Sequence, residues 1–303
     1  MCHGCGKTFA ETTFPPLYGL KHPLWLVVVV LALLACGCPP QAIVFAFGLD
    51  ERTLADWQRK AGQHAKIVQE QMVCQGQVDL GQVQGDELYV KTQHGTLWMA
   101  TAMSVFSRLF LWGAIAPQRD TALITRVVEQ VRAAAQPGRP ILWAIDGFSA
   151  WVSAILRVFR DPLRTGKRGR PALVLWADLH IVQVVKQYAR KRVVAVDRRL
   201  VHGCRQRAEG IMQAREVALG VINTAYIERL NRTFRTWLPA LTRRTHTPNR
   251  VAARLEAAMF WMGGVYNFCR VHTTLHGTPA MAADLTEHVW SVDELLRYRP
   301  KRE

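Results

Sequence analysis

Gln84-Gly85-Asp86-Glu87-Leu88-Tyr89-Val90 and Ile141-Leu142-Trp143-Ala144-Ile145-Asp146-Gly147 contain two apolar runs, the first enclosing Asp86 with Glu87 beside it and the second ended by Asp146. Both have strand character, and the segments around the first repeat it. Stretches 83–91, 97–104 and 109–115 read as strands separated by Gln93-His94-Gly95 and Ser107-Arg108, which predicts a three-stranded meander. Leu123, Ile124, Val127, Val128 and Val131 then recur at helical spacing between Thr121 and Gln136, closed by Pro137-Gly138. The predicted order is therefore strand, strand, strand, helix, strand, with strand 141–145 last. Further along, Trp151 to Phe159 predicts a helix and Arg160 to Pro171 a basic, glycine-containing loop. Pieces 173–176 and 193–196 are strand-like, a helix surrounds Glu228, and an apolar helix runs from Pro248 to Gly263. The expected class is α/β, a mixed sheet flanked by helices.

Bulk properties narrow the partners. With 303 residues the chain can hold two or three modules, since domains typically have ~100 to 200 residues. The formal charge is +16, with 39 Lys and Arg against 23 Asp and Glu. A positive field of that size favours polyanions and speeds their encounter, and nucleic acid is the leading partner. The basic segment 160–171 fits that reading, as a loop able to cross a phosphate backbone. Seven cysteines, odd in number and irregularly spaced, exclude a disulfide framework. The apolar run Leu24 to Cys36 stops at Gly37 and Pro39, short of the ~20 residues a bilayer requires, so it reads as a buried helix and no membrane role is expected. No signal peptide is read in the first 23 residues either, and the expected location is cytoplasmic.

At the amino end, Cys2-His3-Gly4-Cys5 has the form of a zinc knuckle. Tetrahedral zinc wants four ligands, and no second Cys-x-x-Cys follows at finger spacing. Residues 1–23 are thus expected to be the second half of a finger, with Cys2 and Cys5 as a partial Zn2+ site. Residues 24–78 read as helices, with Asp50 a cap and Leu54, Trp57 and Ala61 at helical spacing. This fits an all-α helix-turn-helix domain whose second helix offers Arg52, Thr53, Gln58 and Arg59 to a major groove. Residues 79–290 form the α/β domain, and 291–303 a basic tail.

Asp86, Asp146 and Glu228 come as strand acid, strand acid and helix acid, the order a ribonuclease-H-like metal site requires. Magnesium prefers oxygen ligands and keeps part of its water shell, and two such ions roughly 4 Å apart can activate an attacking oxygen and stabilise a leaving one. Glu87 adjoins Asp86, but neighbouring strand residues point to opposite faces, so only one of the two is expected to face the metals, and Asp86 is preferred. Asp197 also ends an apolar strand; Arg198-Arg199 beside it point to a structural ion pair instead.

Beyond these acids, Asn223-Thr224-Ala225-Tyr226-Ile227-Glu228-Arg229-Leu230-Asn231, Tyr266-Asn267-Phe268-Cys269-Arg270-Val271-His272 and Thr278-Pro279-Ala280 are blocks in which the chain resembles insertion-sequence transposases of the DDE superfamily. The likeness runs through nearly the whole chain, from the Cys-x-x-Cys start onward. It implies an RNase H-like core in which Asp86, Asp146 and Glu228 hold two Mg2+ (or Mn2+) ions. It implies also that water cuts double-stranded DNA at the element end and the freed 3′ hydroxyl attacks target DNA, in a homo-oligomer that pairs two ends, at the nucleoid. Val271 departs from the pattern, replacing a proline common before that histidine. Asn231, Arg232 and Arg235, three, four and seven positions after Glu228, share one helical face and are expected phosphate contacts. Arg243 and Arg244 are expected to touch DNA less specifically, and the block from Tyr266 to His272 has packing and catalysis as equal alternatives.

Overall fold

The computed structural model describes residues 16–93, 95–164, 166, 169–190, 192–213, 221–242 and 251–301. The expected Cys2 and Cys5 zinc ligands and the DNA contacts Arg243 and Arg244 lie outside them. Three helices come first, α1 (Leu24–Ala35), α2 (Pro40–Phe47) and α3 (Glu51–Met72), followed by the meander β1 (Gly81–Thr92), β2 (Gly95–Ser104) and β3 (Phe110–Ala116). After α4 (Thr121–Ala134), β4 (Ile141–Ile145) and α5 (Ser149–Val158) come a small hairpin, β5 (Arg160–Leu163) with β6 (Ala172–Leu175), and the long strands β7 (Leu179–Ala189) and β8 (Arg192–His202). Helices α6 (Arg205–Gln213), α7 (Ala225–Trp237), α8 (Ala252–Gly264), α9 (Pro279–Ala282) and α10 (Val292–Arg297) complete the order.

Six strands form one mixed sheet in the order β3-β2-β1-β4-β7-β8. The meander is antiparallel, β4 runs parallel to β1, β7 parallel to β4, and β8 turns back antiparallel. Alternation along β4 divides its side chains between two cores. Ile141, Trp143 and Ile145 join the large cluster containing α4 and α5, while Leu142 and Ala144 join Val182, Val184, Ala208 and Met212 beneath α6. A strand buried on both faces reads as a continuous apolar run.

That rule explains the strand missing from the sequence reading. Leu179, Ile181, Val182 and Val184 of β7 are all buried, so the segment shows no period of two, and His180 and Gln183 interrupt its apolar run. In the basic segment 160–171, expected to be loop throughout, Arg160–Leu163 is strand, paired with Ala172–Leu175. The strand expected at 193–196 extends over Arg192–His202.

The leading helices belong to the same core as the sheet. Helix α1 buries Val27, Val30, Leu31 and Leu34, and the Trp261 indole donates to the Leu31 carbonyl at 2.9 Å. Among the described residues no helix is long and apolar enough to cross a membrane. Asp50 caps α3 by accepting from the Arg52 amide at 2.7 Å, as expected, and Leu54, Trp57, Ala61, Ala65 and Val68 form its buried stripe. Helix α3 then crosses α8 so closely that Gly62 has no room for a Cβ against the Ala257 backbone.

Edge strand β3 presents backbone polar groups that no further strand can pair. Asn267 and Gln69 supply the missing partners. The Asn267 carbonyl oxygen accepts from the Phe110 amide at 2.9 Å, its Nδ2 donates to the Phe110 carbonyl at 2.8 Å, and Gln69 Nε2 donates to the Phe110 and Leu111 carbonyls. Asn267 also donates to Gln69 at 3.1 Å and is fully buried. For this residue packing is the role, of the two alternatives. Asn267→Ala strands these groups away from water and is expected to cost about 2 kcal/mol, read as a lowered urea midpoint with unchanged slope.

Candidate metal centre

The parallel pairing of β1 with β4 ends at Gly85 opposite Ile145. One step further along both strands stand Asp86 and Asp146. One carboxylate oxygen from each, with one from Glu87, lies within 4.8 Å of the other two. Hard oxygen donors at that spacing suit a magnesium- or manganese-sized cation.

Glu87 corrects the expectation that only one of the adjacent acids could take part. Its side chain does leave the opposite face of β1 from Asp86: Oε2 accepts from the Trp151 indole at 2.9 Å, and Gly85, which has no Cβ, lets that ring seat against the strand. Yet β4 stops at Ile145, so no neighbouring strand separates the two faces at the level of Asp146. Both carboxylates reach the same gap. Pleat alternation assigns faces correctly and fails only as a measure of distance at a strand end.

Asp86 is held from α7. Asn231 Nδ2 donates to Asp86 Oδ2 at 2.8 Å, and Asn231 Oδ1 accepts from the Thr101 hydroxyl at 3.0 Å. Both ends of this amide, 2% exposed, are spent inside the protein. Asn231 therefore positions Asp86, and it is not the outward phosphate contact expected from helical spacing. Two residues before Asp86, Gln84 pins the start of α7: its Oε1 accepts from the Tyr226 and Ile227 amides at 3.1 and 2.9 Å, and its Nε2 donates to the Asn223 carbonyl. The helix is thereby fixed to β1 at the acids.

Charge crowding follows from this geometry. Burial, then the adjacent Glu87 carboxylate, push the Asp86 carboxyl up to about 6, against hydrogen bonds from Asn231 and the Glu87 amide that favour its ionised form. Burial raises Glu87 as well, opposed by Trp151 and Arg119. Arg119 is the cation that bridges the group, paired with Glu87 and 3.6 Å from Asp146. Its guanidinium lies 4.0 Å from the Phe148 ring centre and 5.3 Å from that of Trp98. No sequence pattern singles out Arg119, because it meets the acids through a tertiary contact.

Glu228 stands apart from the three-acid group. It is exposed on α7, accepts from the Thr224 hydroxyl at 2.7 Å and pairs with Lys186 of β7. It nonetheless lies one helical turn before Asn231, hence on the helix that touches Asp86. Arg232 is exposed on the same helix and Arg235 half-buried. Asp197 pairs with Arg199 at 2.6 Å, the structural role expected of it. In the leading helices, Arg52 is exposed, Thr53 and Gln58 are half-buried, and Arg59 is tied to Asp56 at 2.5 Å and Gln63 at 3.0 Å.

No family model matches the chain, and a search of curated proteins returns no match either.

Proposed function

We propose that this protein is a DDE-type transposase with an RNase H-like core, cutting and joining double-stranded DNA at the ends of a mobile element. The observation that carries the reading is the pair Asp86 and Asp146, brought side by side where the parallel pairing of β1 with β4 ends, with the Asp86 carboxyl raised by burial and then by a third acid. The α/β mixed sheet and the net charge of +16 add support.

Asp86 and Asp146 would hold divalent Mg2+ or Mn2+, and the all-carboxylate donor set suits such ions. Bound there, the ions supply a Lewis acid for the attacking and leaving oxygens of a phosphodiester. Asn231 and Thr101 hold Asp86 in one rotamer, and Gln84 keeps α7 against β1. Glu87 is the third carboxylate of the group, and Glu228, on the helix that positions Asp86, is the third acid that the transposase likeness implies. Helix α2, the break at 48–50 and the polar first turns of α3 serve in this reading as a helix-turn-helix, with Arg52, Thr53, Gln58 and Arg59 toward DNA. Pairing of two element ends calls for a homo-oligomer, and the protein works at the nucleoid.

A supercoiled plasmid carrying the coding sequence with its native flanking DNA tests the proposal. Purified protein is expected to nick or linearise it with Mg2+ or Mn2+ and not with EDTA. Glu228→Gln is expected to lower cleavage at least about a hundredfold if that residue is a ligand, a loss of ~2.7 kcal/mol of transition-state stabilisation. Binding of the plasmid without metal-dependent cleavage, under every ion tried, would overturn the enzymatic reading in favour of a DNA-binding protein.

A further inference from the structure

Beside α7, positive charge gathers from three separate parts of the chain. Tyr226 and Arg229 are three residues apart on that helix. Arg108, in the turn between β2 and β3, lays its guanidinium 3.8 Å from the Tyr226 ring centre, and its carbonyl accepts from the Tyr266 hydroxyl at 3.1 Å. Arg270, just after α8 and its extension through Cys269, stacks 3.9 Å over Trp237. His272 follows at the start of a tight turn, its amide donating to the Gly277 carbonyl at 2.8 Å and its Nδ1 hydrogen-bonded to Thr274 at 3.0 Å.

Several features make this cluster unlike an ordinary basic surface. Among the described residues, no carboxylate is ion-paired with Arg108, Arg229 or Arg270, whereas Arg119 and Lys186 are paired with Glu87 and Glu228. Arg108 adopts φ +58°, a left-handed backbone that a long side chain rarely takes. Stacking on Tyr226 and Trp237 fixes the guanidinium planes of Arg108 and Arg270; Arg108 spends Nη1 on the Val105 carbonyl, and its remaining N–H groups, with the guanidinium of Arg229, can turn to an anion's oxygens. The three arginines also act together, since their charges hold the Tyr266 and His272 groups in common: burial first and then Arg108, Arg229 and Arg270 keep His272 below its usual value. Like charges held together without an anion are unfavourable, and a bound anion relieves them.

We propose that Arg108, Arg229, Arg270 and His272 form a binding site for the DNA phosphodiester backbone along α7, the helix that also carries Asn231. Arg229 follows Glu228 directly, so the two side chains leave the helix ~100° apart. DNA held here would lie against the helix whose Asn231 holds Asp86. The inference rests on the DNA reading above and adds a surface that the sequence did not single out, Arg108 and Arg229 in particular.

Fluorescence anisotropy of a labelled 30-base-pair duplex in EDTA tests it without any need for cleavage. Arg229→Gln, which removes no contact that holds the fold, is expected to weaken binding about fivefold at 100 mM salt and to lower the slope of log affinity against log salt by about 0.9, the signature of one lost phosphate contact. The double variant Arg229→Gln with Arg270→Gln is expected to lose about twice that slope. Arg126→Gln on α4 is the control and should match wild type. Wild-type affinity and slope in the double variant would overturn the site while leaving DNA binding intact. Failure of the unaltered protein to bind the duplex would instead sink the DNA reading on which the site depends.

Discussion

Asp86→Asn is expected to make the protein more stable at neutral pH and to abolish metal-dependent DNA cleavage. The stability effect follows from the direction of the Asp86 shift, from 3.8 to about 6. Between those values the folded protein binds more protons than the unfolded chain, so stability falls as pH rises through this window. Well above pH 6 the whole penalty is present, about 3 kcal/mol. Asparagine removes the charge at every pH and can still accept from Asn231. Melting curves should therefore show Asp86→Asn above wild type at pH 7.5, with the gap closing near pH 4. Adding Mn2+ should raise the melting temperature of wild type and leave the variant unmoved, since a bound cation stabilises only the state that holds it. A variant that melts below wild type at pH 7.5 would show that Asp86 is not under charge strain.

Gly62→Ala is expected to be among the most damaging single-methyl additions available to this chain. A Cβ at Gly62 would lie 2.6 Å from the Ala257 Cα and overlap that residue's carbonyl outright. Both obstacles are backbone of α8, which no rotamer change can move. Separating the helices to admit one methyl should cost about 3 kcal/mol or more, against the few tenths to one that alanine gains over glycine in a helix. Gly264→Ala, at the same interface, meets the Ala65 Cβ at 3.3 Å and should stay within about 1 kcal/mol of wild type. Urea unfolding followed by far-ultraviolet circular dichroism, which reports on the sheet and the helices together, reads the difference. If Gly62→Ala left that transition where it was, α3 would not be part of the cooperative unit that holds the acids.

The meander, α4 and β4 could be read from sequence because each is specified locally. Alternation on β1 to β3, a 3.6-residue period on α4 and a five-residue apolar run on β4 need no knowledge of neighbours. Asp86 and Asp146 stood out for the same reason, as charges interrupting or ending such runs. Strand β7 did not, because burial on both faces erases the alternation by which a strand is recognised. Asn231 fell on the predicted helix, but whether its amide faced solvent or Asp86 depended on how α7 rolls against β1, and the Gln84 contacts to the start of the helix settle that.

Local periodicity, then, was sufficient for the type of most elements, β5 and β7 excepted, and for two of the acids, since these arise from interactions within a few residues. Membership of the cluster was a matter of tertiary arrangement: where β4 terminates, Glu87 and Arg119 come within reach of Asp146, whereas Glu228 pairs with Lys186. Those separations depend on how strands end and helices roll, and such facts are spread over contacts between residues tens of positions apart.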